Sequence, residues 1–197
     1  MIKYPNGDKY TPKARTTKKS KVEISFSSAN RGMNLESDIN LSNEFYKEKG
    51  VCLITKRPTP INIVKVDYSK GAKIVDAYFE TQSTTDYNGI YKGKYIDFEA
   101  KNTKSKTSFP LSNITKHQIE HLKLVNEHGG ISFFIIQFET LDQVFLLDSK
   151  YVIEQYENKE RKSIPIKFFL EKGYEIERSY NPRLKYIEAI EKAYFKK

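Results

Sequence analysis

Thr84-Thr85-Asp86-Tyr87-Asn88-Gly89-Ile90-Tyr91-Lys92-Gly93-Lys94-Tyr95-Ile96-Asp97-Phe98-Glu99-Ala100-Lys101 is the stretch that decides the fold. Tyrosines and isoleucines flank an X-Gly pair, the pattern of two antiparallel strands joined by a two-residue turn. With Lys92-Gly93 as the turn, Tyr91 faces Lys94, and stepping outward sets Asp86 opposite Glu99 and Thr84 opposite Lys101. Opposed side chains stand about 5 Å apart at Cβ. Because side chains alternate along a strand, Thr84, Asp86, Glu99 and Lys101 are expected on one face. Two carboxylates held that close repel each other and lose hydration, so the pair needs a proton or a cation between them.

A hard divalent ion is the natural occupant, Mg2+ first and Mn2+ as a substitute. Asp86 and Glu99 would hold it, while the Lys101 ammonium would orient a water and offset charge building on a scissile phosphate. The expected chemistry is hydrolysis of a DNA phosphodiester by metal-activated water. Asp97 projects from the same face, as a supporting group or a solvated strand residue. Glu-x-Lys is common on its own, and a surface hairpin with ordinary charge contacts is the plain alternative. The opposed Asp86 is what favours catalysis.

At 197 residues the chain is long enough for one good core, and 12 Phe with 14 Tyr supply the means to fill it. Net charge is +9 with a pI near 9.3, which favours a polyanionic partner. The charge is uneven. Residues 1–29 carry seven basic side chains against Asp8 and Glu23, a surplus of +5. That segment, rich in Lys, Thr and Ser, reads as a flexible basic arm able to grip phosphates, or more simply as a solubilising tail. A single cysteine, Cys52, excludes an intrachain disulfide. Its apolar neighbours Val51, Leu53 and Ile54 suggest a buried thiol in a reducing compartment. With no apolar stretch of about 20 residues and no signal-peptide core, a soluble cytoplasmic protein is expected.

Beyond the arm, a helix is expected from Asn30 to about Glu48, with Leu35, Ile39, Phe45 and Tyr46 inward, Glu36 on its first turns and Gly50 ending it. Val51 to Lys56 reads as a short strand, broken by Pro58-Thr59-Pro60. Ile61 to Tyr68 and Ile74 to Phe79 form a hairpin-like excursion. After Lys101, residues 102–110 make a basic loop that either holds DNA backbone or simply connects. Ser112 or Asn113 is expected to cap a helix ending near Glu127, with Ile114, Gln118, Leu122 and Val125 on its inward stripe. Two readings of Gln118 stand: a buried amide bonded to backbone, or a fourth ligand or water holder for the carboxylates. His117 and His121 lie one turn apart, without the third ligand a zinc site needs, and read as exposed histidines near DNA or packing. Ile131 to Phe138 and Gln143 to Asp148 are expected at the sheet centre, followed by helices near 149–156, 165–172 and 182–195.

The order of these signals resembles the PD-(D/E)xK nuclease superfamily. More closely, Asn30-Arg31-Gly32-Met33, Thr59-Pro60, Thr84 to Tyr91, Tyr95 to Lys101, Thr107 to Leu111 and His117-Gln118-Ile119-Glu120-His121 look like the RecU Holliday junction resolvases of Gram-positive bacteria. The likeness covers essentially all of the chain beyond the arm. It implies an α/β, restriction-endonuclease-like fold, with a mixed central sheet flanked by helices and a flexible N-terminal arm. The nuclease domain would span 30–197, with a protruding stalk insertion at about 58–80. It implies a cytoplasmic homodimer that binds four-way junction DNA and, with magnesium, nicks two opposed strands during recombination and repair. Recombinase or branch-migration proteins would be further partners. Thr84, Asp86, Glu99 and Gln118 match the family's metal positions and Lys101 its transition-state stabiliser. Arg31 is a candidate junction contact and Glu36 a possible accessory acid. One departure is that Thr85, not proline, precedes Asp86. The rival readings are another endonuclease of the superfamily and a noncatalytic junction-binding or recombinase-modulating protein.

Overall fold

The structure is a computed structural model that describes residues 34–80, 84–158 and 160–196. Arg31, the basic arm and the first residues of the expected first helix lie outside these. That helix, α1 (Leu35–Glu48), is capped by Asn34, whose side chain accepts from the Glu36 N–H at 3.2 Å. Leu35, Ile39 and Tyr46 are buried as expected, and Phe45 is partly so.

β1 (Leu53–Lys56) is two residues shorter than its apolar run suggests. β2 (Ile61–Asp67) and β3 (Lys73–Phe79) pair only with each other, forming the excursion as a separate two-stranded sheet. Nearly every residue of this pair is exposed, including Tyr78 and Phe79. β4 (Tyr87–Tyr91) and β5 (Lys94–Thr103) join through Lys92 and Gly93, with φ of 47° and 72°. Positive φ at both central residues is the mark of the hairpin turn whose twist matches the strands, and glycine adopts it freely. The register is the expected one, Tyr91 opposite Lys94 through Tyr87 opposite Phe98.

β6 (Ser108–Pro110) and a 3-10 turn (Leu111–Asn113) precede α2 (Lys116–Glu127). This helix starts later than expected. Its cap is Thr115, whose hydroxyl and Gln118 side chain satisfy each other's backbone N–H groups in a capping box that Ser112 and Asn113 cannot form. β7 (Ile131–Phe138), β8 (Gln143–Asp148) and α3 (Ser149–Glu157) follow as expected. β9 (Ser163–Pro165) pairs with β6, α4 spans Ile166–Lys172, and β10 (Tyr174–Glu175) pairs with β8. The last helix, α5 (Tyr186–Ile190), ends in a π-helical turn (Glu191–Phe195). It begins after the expected Pro182, because Ser179 N–H bonds Arg183 O and Arg178 bridges Leu184, tying 178–184 into a bent strap.

Among the described residues the central sheet runs β1-β4-β5-β7-β8-β10, and only the β5–β7 pair is parallel. A parallel pair needs a crossover, and α2 supplies it. The mixed α/β class is therefore as expected. Even-numbered β5 residues Ile96 and Phe98 join α1 and α5 in one core. Tyr87, Phe98 and Phe133 stack in a row across three strands, with ring centroids 4.9 and 4.8 Å apart. On the other face Phe134 and Ile136 pack with Ile119 and Leu122 of α2. Odd-numbered Asp97, Glu99 and Lys101 thus lie on the face that α2 covers. Asp38, fully buried, takes Arg178 at 2.5 Å and Arg183 at 3.2 Å, which pins the C-terminal strap to α1. Among the described residues no helix is long and apolar enough to cross a membrane.

Candidate active site

The ladder between β4 and β5 ends at Tyr87 opposite Phe98, and the site begins where it stops. One residue further on, Asp86 N–H donates to Glu99 Oε2 at 3.1 Å, and Ala100 N–H donates to Asp86 Oδ2 at 3.3 Å. Two backbone donors that further pairing would satisfy are satisfied by two carboxylates instead. This interlock keeps the Asp86 and Glu99 side chains together, as the turn arithmetic requires.

Glu99 is buried to 1% exposure, and its Oε1 takes Gln118 Nε2 at 2.6 Å and Lys101 Nζ at 2.7 Å. Burial first, and then the charge of Asp86, push the Glu99 carboxyl up to about 7; Lys101 pulls against them without prevailing. A pair of oxygen-donor carboxylates whose charge one partly exposed ammonium does not fully offset suits a hard divalent cation. Asp86 and Glu99 would hold it.

Gln118 is bonded to backbone, the first of its two readings, and its other end reaches the Glu99 carboxylate. Its Oε1 accepts from Thr115 N–H at 3.0 Å, which leaves Nε2 for Glu99. Turning the amide over would set its NH2 against the Thr115 N–H, so the capping box fixes this orientation. An amide nitrogen is not a cation ligand, and Gln118 therefore orients Glu99 in this structure. Thr84 stands half-buried on the bend before β4, and the hydrogen bonds that join Asp86 to Glu99 do not involve it. Glu36 is exposed and paired with Lys56 at 2.5 Å, again outside those bonds.

Asp97 is not a solvated strand residue: it is fully buried. Its Oδ2 receives Arg57 Nη2 at 2.6 Å, Tyr95 OH at 2.8 Å and His121 Nε2 at 3.0 Å, and its Oδ1 receives the Thr85 hydroxyl. Burial alone would raise this carboxyl, but the bonds from His121, Thr85 and Tyr95, with the Arg57 charge, hold it below the usual value. His121 thus faces inward against Asp97 rather than standing free on the helix. His117 bonds the Thr115 hydroxyl at 3.0 Å, and the two histidines share no ligand. Thr85, next to Asp86, contributes a hydroxyl to Asp97 and not only a backbone shape. Sequence reading missed Arg57, Tyr95 and His121 as a group. The available signal was Gln118 and His121 at i, i+3 on a helix turned toward the acids.

A family model described as "RecU: Recombination protein U" matches residues 30–192. The protein named Holliday junction resolvase RecU in Geobacillus sp. (strain WCH70) is 50% identical, over 99% of this chain and 98% of that one. The protein of the same name in Pediococcus pentosaceus is 49% identical over 96% of each chain. A solved structure of Archaeoglobus fulgidus Hjc, a Holliday junction resolvase from an archaeal hyperthermophile, is 12% identical with a TM-score of 0.36. That match covers 64% of this chain and 85% of the other.

Proposed function

This chain belongs to the Recombination protein U family, and from that premise we propose that it is a Holliday junction resolvase, an endonuclease that nicks opposed strands of four-way DNA junctions. The observation that carries the reading is the interlock of Asp86 with the buried Glu99, with Lys101 Nζ 2.7 Å from the same carboxylate. We take Asp86 and Glu99 to hold magnesium, with manganese as a substitute. A bound magnesium ion would act as a Lewis acid and lower the pKa of its bound water, making a nucleophile more available near neutral pH.

The chain's own residues do the rest. Glu99 is held by Gln118 and Lys101 and so keeps one orientation as DNA arrives. The Lys101 side chain, 23% exposed, reaches the surface, where its ammonium can meet a scissile phosphate and stabilise charge developing there. Exposed Lys104 and Lys106 follow directly on β5 and suit a backbone contact beside the cut. Arg31 and the basic arm at 1–29 would add phosphate contacts, and the β2–β3 hairpin, within the 58–80 insertion, would act as the stalk at the junction. A junction has twofold symmetry, so a homodimer would set one site against each of two opposed strands. A DNA substrate would suit a cytoplasmic protein.

The test is nicking of a synthetic mobile four-way junction beside a linear duplex of the same sequence. Paired, magnesium-dependent nicks confined to the junction are expected, and Glu99→Ala should remove them. Equal cutting of the linear duplex would make this a general nuclease, and junction binding with no cutting would overturn the enzymatic reading.

A further inference from the structure

The Asp97 cluster draws on four separate segments. Arg57 stands at the end of β1, just before the chain leaves the sheet for β2 and β3. Thr85 lies on the bend next to Asp86, Tyr95 is on β5 four residues before Glu99, and His121 is on α2 one turn after Gln118. Arg57 ties in twice more: its backbone N–H donates to Asp86 O at 2.7 Å, and Nη2 also reaches Tyr95 OH at 2.8 Å. Each segment that carries Asp86, Glu99 or Gln118 is therefore anchored, within a few residues, to one buried carboxylate.

Stability alone is a poor reason for such a group, since buried ion pairs are often matched or bettered by apolar side chains of similar volume. The neighbouring core shows that this face can pack Phe134, Ile136 and Leu122. Geometry is the better reason. Carboxylates that bind a cation work only when held in place, and the groups behind them commonly decide affinity.

We propose that Asp97 and Arg57 are positioning residues for the cleavage reaction: the Arg57–Asp97 pair, through Thr85 and His121, fixes the bend bearing Asp86 and the helix bearing Gln118 against Glu99. This rests on Asp86 and Glu99 being the cation-holding pair. Asp97 does not touch substrate; it acts through the segments it ties together.

Arg57→Ala, Arg57→Lys, Asp97→Asn and His121→Gln separate this from a structural or DNA-contact role. Four quantities are read for each: the single-turnover nicking rate at saturating protein, the Mg2+ concentration for half-maximal rate, junction Kd in EDTA, and Tm. Arg57→Ala and Asp97→Asn are expected to raise the Mg2+ requirement and lower the saturated rate by about 10- to 100-fold. Junction Kd in EDTA should stay at the wild-type value. Arg57→Lys should recover part of the loss, because lysine keeps the charge but not the rigid planar group that aims Nη2 at both Asp97 and Tyr95. A weakened metal-free Kd with an unchanged saturated rate and Mg2+ requirement would make Arg57 a phosphate contact and overturn the proposal. Should Asp97→Asn fail to fold, Arg57→Lys and His121→Gln decide: wild-type rate and Mg2+ requirement in both overturn it. Asp86→Ala is the control. If it still cuts, the site itself is misassigned; if it is dead while Arg57→Ala cuts like wild type, only this inference fails.

Discussion

Replacing Glu99 by glutamine should change how stability depends on pH more than it changes stability itself. The ordinary glutamate value is 4.5, and in the folded chain burial and Asp86 hold Glu99 at about 7. Between those values the folded protein keeps a proton that the unfolded chain has released, so wild-type stability falls as pH rises through this window. At 1.36 kcal/mol per pH unit the full fall is about 3 kcal/mol, and most of it lies between about pH 5 and pH 8. Glutamine cannot titrate, so Glu99→Gln lacks this fall. Its own hydrogen bonding shifts its curve by a constant that cancels when two pH values are compared. Urea unfolding in EDTA at both pH values should show the variant gaining between about 2 and 3 kcal/mol on the wild type as pH rises. Magnesium at the higher pH should restore wild-type stability by mass action, about 2.7 kcal/mol at a hundredfold excess over Kd, and leave the variant unmoved. Parallel curves for the two proteins would refute the claim that this buried carboxyl waits for a cation.

Lys101→Ala should lower the nicking rate by about 100- to 1,000-fold, as for loss of one transition-state donor, with junction Kd within a few-fold; comparable cutting would remove Lys101 from the site. Gln118→Ala should cost about 1 kcal/mol through the lost capping box and raise the Mg2+ requirement. Gln118→Glu should keep the cap, since it still offers Thr115 N–H an acceptor, yet bind Mg2+ differently from wild type. A Mg2+ requirement unchanged in both variants would show that Gln118 serves the helix alone. Gly89→Ala places a Cβ 2.0 Å from Leu53 O and 2.6 Å from Ile54 Cα, both backbone atoms, so β1 must move off β4. A loss of at least about 2 kcal/mol in urea unfolding is expected, and a loss below about 0.5 kcal/mol would contradict the close approach.

The parts of this molecule legible in its sequence are those governed by short-range rules. A glycine after Lys92 set the turn, the turn set the register, and the register set Asp86 beside Glu99. The apolar runs of β7 and β8 announced buried strands for the same local reason. What escaped depends on partners distant in the chain. Arg57 meets Asp97 across 40 residues, and Asp38 meets Arg178 across 140. No spacing pattern predicts such pairs. The strands β6, β9 and β10 are two or three residues long and exist only because a tertiary partner accepts their hydrogen bonds. α2 is capped two or three residues later than expected because Thr115, Ser112 and Asn113 are all good caps, and only the reciprocal bond from Gln118 chooses among them. The same bond explains why Gln118 resisted a single reading: one end of the amide serves the helix and the other serves the site.

The most direct measurement counts Mn2+ bound per chain, by electron paramagnetic resonance of the free ion, in wild type, Asp86→Ala and Glu99→Ala. The wild type should bind tightly, and each substitution should abolish that tight binding, because neither carboxylate holds the ion without the other. Tight binding that survives in either variant would contradict the claim that these two acids form one cation site.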